Sequence, residues 1–291
     1  MIIFWDRLKD SRMPLKTITT DLCFAEGPRW HDGALWFSDM HDHVVCRIDA
    51  DGVKTVVAEV PEQPSGLGWL PDGRLLIVSM RDRSILVQNE RGLEVWCDLS
   101  SLAKHDCNDM VVDALGRCWV GNFGFNLHAG DTMTTTELIL VRGQHQAEVA
   151  ARDLFFPNGS VITPDGSTLI VAETFAACLT AFDIAPSGQL SNRRIWAQLE
   201  GAVPDGICLD AAGGIWVASP TSQECLRVIA GGEVTDRIKV EDQAFACMLG
   251  GEDGRKLFIL TAANSAPEAC RQARSGKIVC TDVAYARAGC P

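Results

Sequence analysis

Glu26, Asn108, Asn158 and Asp205 are the residues of this 291-residue chain whose types and spacing best suit one shared site. Each precedes a turn glycine by a fixed count: seven residues for Glu26 before Gly33, and eight for Asn108, Asn158 and Asp205 before Gly116, Gly166 and Gly213. The same eight-residue count adds Ser65 before Gly73 and Ala246 before Gly254, so six equivalent positions read Glu, Ser, Asn, Asn, Asp, Ala. Carboxylates gathered in one place repel each other and lose hydration unless a cation or hydrogen-bond donors compensate them. Oxygen donors of mixed charge favour a hard divalent ion, calcium first, with magnesium, manganese or zinc as alternatives; no histidine or cysteine among them favours zinc strongly. The competing reading is that Asn108, Asn158 and Asp205 only cap strands or turns by hydrogen bonding to backbone.

The counting rule has a structural origin. Six times the chain repeats an apolar strand, a turn carrying Asp-Gly or a relative, and a second strongly apolar strand, as in Gly66-Leu-Gly-Trp-Leu-Pro-Asp-Gly-Arg-Leu-Leu-Ile-Val. The turn glycines Gly33, Gly73, Gly116, Gly166, Gly213 and Gly254 are separated by 40, 43, 50, 47 and 41 residues. That period fits a four-stranded propeller blade and is too long for a leucine-rich repeat. Two further strand-like stretches lie between copies, such as Val45-Cys-Arg-Ile-Asp and Lys54-Thr-Val-Val-Ala. The expected fold is therefore all-β, a six-bladed β-propeller with four-stranded antiparallel blades, forming a single domain over 1–291 with an N-terminal extension at 1–15. The ring is expected to close by pairing a strand near Lys16 to Leu22 with one near Lys277 to Asp282, which hides open sheet edges.

In a propeller the first strand of each blade lines the axis, so the six equivalent residues form a ring at one channel mouth. The loops between second and third strands share that face: Asp39 to His43, Met80 to Arg83, Asn122 to Thr135, Glu173 to Ala177, Ser219 to Glu224 and Ala262 to Gly276. The third and sixth are the longest, as expected of a lid or specificity wall. Phe123, Phe125 and Phe155-Phe156 would make the pocket partly apolar, although core packing is the commoner role for any one phenylalanine. His41, His43, His105 and His128 map near the same face, where a solvated loop histidine is commoner than a chemical one.

A formal net charge of −12 with no Lys/Arg cluster argues against nucleic acid and membrane surfaces as partners. The apolar run Met1-Ile-Ile-Phe-Trp5 leads straight into charged residues and lacks the length of a signal-peptide core, which points to a cytoplasmic protein. Twelve cysteines are scattered singly without a C-x-x-C pair and read as small buried hydrophobes in a reducing compartment, Cys107 and Cys247 lying nearest the ring. No G-x-S-x-G elbow supports a serine hydrolase.

Ala25-Glu26-Gly27-Pro28-Arg29-Trp30, Asn108-Asp109, Pro157-Asn158-Gly159 with Thr163-Pro164-Asp165-Gly166, and Pro204-Asp205-Gly206 occur in order at blade spacing. Together they resemble the senescence marker protein, gluconolactonase and luciferin-regenerating enzyme family of six-bladed propellers, over roughly Cys23 to Asp282. The resemblance implies that Glu26, Asn158 and Asp205 hold the metal, that Asn108 lies beside it as a substrate contact or further ligand, and that Asp205 also acts as base. Sugar-lactone members of the family carry an arginine where this chain has Asp106 and a glutamate where it has Phe125. These departures weaken the case for a polyhydroxylated sugar lactone; Asp106 and Phe125 from these positions, Phe123 from the loop and Ser65 from the ring join Asn108 as substrate-binding candidates. The expected function is a metal-dependent hydrolase that opens a small-molecule lactone with metal-activated water. The alternatives are a phosphotriesterase-like hydrolase on the same propeller and a non-catalytic binding module.

Overall fold

The computed structural model describes residues 14–291. The N-terminal extension expected at 1–15 therefore lies outside the described residues except for Pro14 and Leu15. Six four-stranded antiparallel sheets form the blades of the propeller. Blade one comprises Ala25–His31, Ala34–Asp39, Val44–Ile48 and Lys54–Glu59, and blade two Pro64–Trp69, Leu75–Ser79, Ser84–Asn89 and Gly92–Asp98. Blade three is built from Cys107–Val112, Cys118–Asn122, Thr136–Gly143 and Gln146–Leu154, and blade four from Pro157–Ile162, Thr168–Glu173, Cys178–Ile184 and Leu190–Gln198. Blade five holds Ile207–Leu209, Ile215–Ser219, Glu224–Val228 and Val234–Lys239. In blade six, Gln243–Gly250, Lys256–Ala262 and Gly276–Asp282 are completed by the N-terminal strand Lys16–Leu22. That strand pairs antiparallel to Gly276–Asp282, with Lys16 opposite Cys280 and Leu22 opposite Gly276, so the ring closes where the sequence placed the closure.

The turn chemistry repeats with the blades. All six turn glycines have φ between 69° and 86°, a backbone region in which a Cβ is strained. In blades two to six an aspartate carboxylate accepts backbone N–H groups across the turn: Asp72 from Arg74, Asp113 from Leu115 and Arg117, Asp165 from Ser167, Asp210 from Ala212 and Gly214, and Asp253 from Arg255. Inner and second strands bury both faces, as in Leu75–Ser79 and Ile215–Ser219, and their apolar side chains pack between neighbouring blades. Outer strands such as Lys54–Glu59 are mostly open to solvent.

The C-terminal tail was not legible in the repeat. It runs beneath the far ends of blades six, five and four, Arg287 N donating to Gly254 O, Ala288 N to Leu209 O, and Cys290 N exchanging bonds with Ile162. The tail packs over a buried ion pair in blade five, Arg227 Nε to Asp210 Oδ2 at 2.6 Å, with Tyr285 stacked on the guanidinium. All twelve cysteines are free, eleven of them buried, and burial pushes the thiols of Cys107 and Cys247 upward, so they serve as packing atoms and not nucleophiles. Among the described residues no helix is long and apolar enough to cross a membrane.

Candidate active site

At the start of the inner strands the ladder is irregular. Register shifts fall between Glu26 and Arg29, Pro64 and Leu67, Cys107 and Met110, Pro157 and Ser160, and Ala244 and Ala246, while the inner strand of blade five begins only after Asp205. A bulge re-aims a side chain out of the strict up-and-down alternation. It is at these breaks that Glu26, Asn108 and Asn158 face a common cavity of about 160 Å³, together with Asp205.

The glycine after three of these ring residues has a packing reason. A Cβ on Gly159 would stand 2.6 Å from Ile207 N, one on Gly206 2.7 Å from Ala246 Cα, and one on Gly66 2.4 Å from Met110 N. Inner strands of adjacent blades thus converge too closely for side chains, which is why the motifs read Asn-Gly, Asp-Gly and Ser-Gly. In blade three Asp109 replaces the glycine, and its carboxylate takes an N–H from buried Arg29 at 2.6 Å. Arg29 also donates to the carbonyls of Pro28, Leu67 and Met110, tying blades one, two and three beneath the cavity. Asp109→Ala would leave that guanidinium buried without its counter-charge. We expect a loss of about 3–5 kcal/mol, read as a lower midpoint in urea at unchanged slope; a midpoint within error of wild type would refute this role.

Because Arg29 is committed to Asp109 and to backbone carbonyls, it does little for the two carboxylates above it. Burial, followed by repulsion from Asp205, raises the Glu26 carboxyl well above its ordinary range, although Gly27 N–H donates to it at 2.9 Å. Burial pushes Asp205 up to about 8, against the lowering effect of a hydrogen bond from Asn158. The Asn158 amide also donates to Thr174 Oγ1 at 3.2 Å, which commits its N–H groups and leaves its carbonyl oxygen free to act as a ligand. Asn108 donates one N–H to Pro157 O at 3.4 Å. Among the described residues no group of three or more His, Cys, Asp and Glu gathers to hold a metal; the donors here are two carboxylates and two carboxamides. Two buried acids whose charged forms are disfavoured, with carbonyl oxygens beside them, form a donor set that fits one hard dication.

A second tier lies two residues upstream of the ring: Phe24, Gln63, Asp106 and Phe156 all line the cavity. Gln63 and Phe156 adopt φ of 74° and 63°, a strained conformation for residues with side chains. Loops between second and third strands supply the rim, with Met40 and His41 from blade one, Met80 and Arg81 from blade two, and Phe123, Leu127 and His128 from blade three. Thr174 and Phe175 follow from blade four and Ser265 and Pro267 from blade six, the last opening the short helix Pro267–Ala273. Blade five's loop stays away.

Two expected substrate contacts stand back from the cavity. Ser65 is buried in the wall, its carbonyl accepting Ser38 Oγ–H at 2.6 Å, and Gln63 lines the cavity in its place. Phe125 is buried behind Phe156 and Phe175, with ring centroids 5.8 and 5.9 Å away. Asp106, Asn108 and Phe123 do line it. Of the histidines, His41 and His128 line the cavity, whereas His43 and His105 do not, the former bonding Pro61 O at 2.7 Å and the latter contacting Asp106. Sequence reasoning missed Gln63, which counting two positions back from the ring would have found, and placed Thr174 only within the Glu173 to Ala177 loop.

The family model for the SMP-30/gluconolactonase/LRE-like region matches residues 24–263. A 6-deoxy-6-sulfogluconolactonase of Pseudomonas putida is 28% identical over 268 residues, covering 89% of this chain and 90% of the relative. A regucalcin of Xenopus laevis is 24% identical, with 87% and 88% covered. The crystal structure of a regucalcin from Agrobacterium tumefaciens, described as a calcium-binding protein, superposes with a TM-score of 0.81 at 21% identity, covering 96% of this chain and 97% of its own, and shows the same fold.

Proposed function

The chain belongs to the SMP-30/gluconolactonase/LRE-like family, and we propose that it is a divalent-cation-dependent hydrolase that opens a lactone to its hydroxy acid. The observation that carries this reading is the convergence of Glu26, Asn158 and Asp205 on one cavity in which the two carboxylates lack a cationic partner of their own. A pure scaffold has no use for that unfavourable arrangement. The relatives, a 6-deoxy-6-sulfogluconolactonase and a regucalcin described as a calcium-binding protein, support the same chemistry.

Glu26, Asn158 and Asp205 would hold the ion, calcium first. When bound, it supplies Lewis acidity toward the lactone carbonyl and toward water. Asp205, ionised in that state, takes the proton released as water adds to the carbonyl carbon, and returns it to the ring oxygen as the acyl C–O bond breaks. Asn108 and Asp106 meet the substrate from blade three. The free thiols suit a reducing compartment, and we place the protein in the cytoplasm.

Metal analysis of the purified protein and melting with and without ion test this reading together. An ion bound only by the folded state adds RT ln(1 + [L]/Kd), about 2.7 kcal/mol at one hundred times Kd. We expect calcium to raise the melting temperature and EDTA to lower it, with hydrolysis of a γ-lactone lost on chelation. No response to calcium, magnesium, manganese, zinc or EDTA would remove the metal. Turnover of a phosphotriester but no lactone would move the activity to the other hydrolase class.

A further inference from the structure

We propose that the substrate is a lactone with an apolar substituent that also carries a hydrogen-bond donor, the substituent lying on the phenylalanine rim and the donor meeting Gln63 and His41. This rests on the lactonase reading above and names the substrate class of the same site. Above the polar floor the cavity is walled mainly by Phe24, Met40, Met80, Phe123, Phe156 and Phe175. Phe123 stacks on Phe156 with centroids 4.5 Å apart, and Phe175 stands edge-on to Phe156 at 4.9 Å. Phe175 stays 37% exposed although it is joined to this cluster, an aromatic surface left open where a ligand would cover it. Hydroxyls set against those six side chains would lose hydration without gaining partners, although Arg81, Asp106 and His128 elsewhere in the lining can bond polar groups.

Two buried polar atoms break the apolar wall, and both lack a partner. Gln63 is 5% exposed and strained at φ 74°, and its amide donates only to the Met80 thioether at 3.3 Å, leaving Oε1 without a bond. His41 is 3% exposed, and its Nε2 lies 3.1 Å from Ser265 O, an atom that can only accept. The proton therefore sits on Nε2, and Nδ1 is a buried acceptor with no bond. Buried unpaired acceptors are costly in a finished fold. Two of them on residues that line one cavity, one with a strained backbone, read as half of an interaction that a hydroxyl or amide N–H completes once the side chains turn to meet it.

The test is kcat/KM, with calcium present, over γ-lactones of increasing alkyl chain, each with and without a hydroxyl or amide on the chain, alongside glucono-δ-lactone. Each methylene reaching the rim is expected to raise kcat/KM about three- to fourfold, and Phe175→Ser to flatten that slope. Gln63→Leu should fold at least as well as wild type, because it removes an unpaired atom. It should also erase at least tenfold of the preference for the donor-bearing member of each pair. A flat or falling chain-length series, a preference for glucono-δ-lactone, or a donor preference unchanged in both Gln63→Leu and His41→Phe would overturn the inference while leaving lactone hydrolysis standing. Absence of hydrolysis with every lactone would remove both. If Gln63→Leu fails to fold, the wild-type series and the His41→Phe pair decide.

Discussion

Asp205→Asn is expected to lower lactone turnover by about 10²–10⁴ while weakening metal binding far less. The carboxamide keeps an oxygen that can coordinate, but it has no basic site for the proton that attacking water must lose. The defect should therefore fall on kcat and kcat/KM alike, the signature of an interaction made only in the transition state. Near neutral pH the metal-free fold must hold Asp205 protonated against an unfolded chain that releases the proton, a cost that asparagine does not carry, so the variant should be as stable as the metal-free wild type or more so. A strand-capping role predicts the reverse, with stability lost and activity per folded molecule unchanged. Asn158→Asp provides the opposite control. A third negative charge should retain or tighten the ion while making it a weaker Lewis acid, so bound metal and turnover should move in opposite directions. Lactone hydrolysis and metal content measured on one folded Asp205→Asn sample decide the matter. Near-wild-type turnover would exclude Asp205 as base.

The ring positions could be read in advance because the turn glycines and the ring residues are locked to one another by strand length. A strand that must cross the blade between an axial mouth and a far turn has a nearly fixed number of residues, so a glycine at one end indexes a side chain at the other. What alternation could not convey is the bulge. A period of two does put residues two positions upstream on the same face as Glu26, Asn108 and Asn158, but it carries no sign of the register breaks that fall at the cavity ends of these strands. Ser65 obeys the count, but in blade two it is Gln63, two residues upstream, that lines the cavity. Phe125 sits on a long loop, where no repeat fixes position and the rings of Phe156 and Phe175 decide which phenylalanine is covered. The C-terminal tail was invisible for the same reason, since its bonds to Ile162, Leu209 and Gly254 are backbone bonds that carry little side-chain signal.

The pair of raised carboxyls has a consequence for pH. Asp205 has an ordinary value of 3.8 and is pushed up to about 8 in the fold, and Glu26 is raised in the same direction. Below about 4 folded and unfolded chains both hold the Asp205 proton, so it contributes nothing to the difference. Between about 4 and 8 the folded chain keeps a proton that the unfolded chain has released, and stability falls as pH rises, by up to about 1.4 kcal/mol per unit for each such group. Above about 8 Asp205 adds no further loss. Histidines act in the opposite sense at the acid end. Burial lowers His41 from 6.5 to about 4, so its contribution is complete above 6.5 and is lost as pH falls through about 4; His31 and His128 are lowered as well. Between about 6.5 and 8 metal-free protein should therefore become less stable with rising pH, the carboxyls acting alone at the lower end and joined toward 8 by thiols that burial raises from 9.0. The ion has the opposite dependence. Its carboxylate ligands must shed their protons to bind it, so affinity should rise about tenfold per pH unit for each proton displaced, up to about pH 8. Melting curves in EDTA and in calcium from pH 5 to 9 should accordingly diverge, nearly coincident at the acid end and furthest apart above 8. In Asp205→Asn the metal-free slope between 6.5 and 8 should shrink by the share that Asp205 supplied. A metal-free stability that rises through that window, or a calcium shift of constant size from pH 5 to 9, would mean that the two carboxyls do not share a proton-for-metal site.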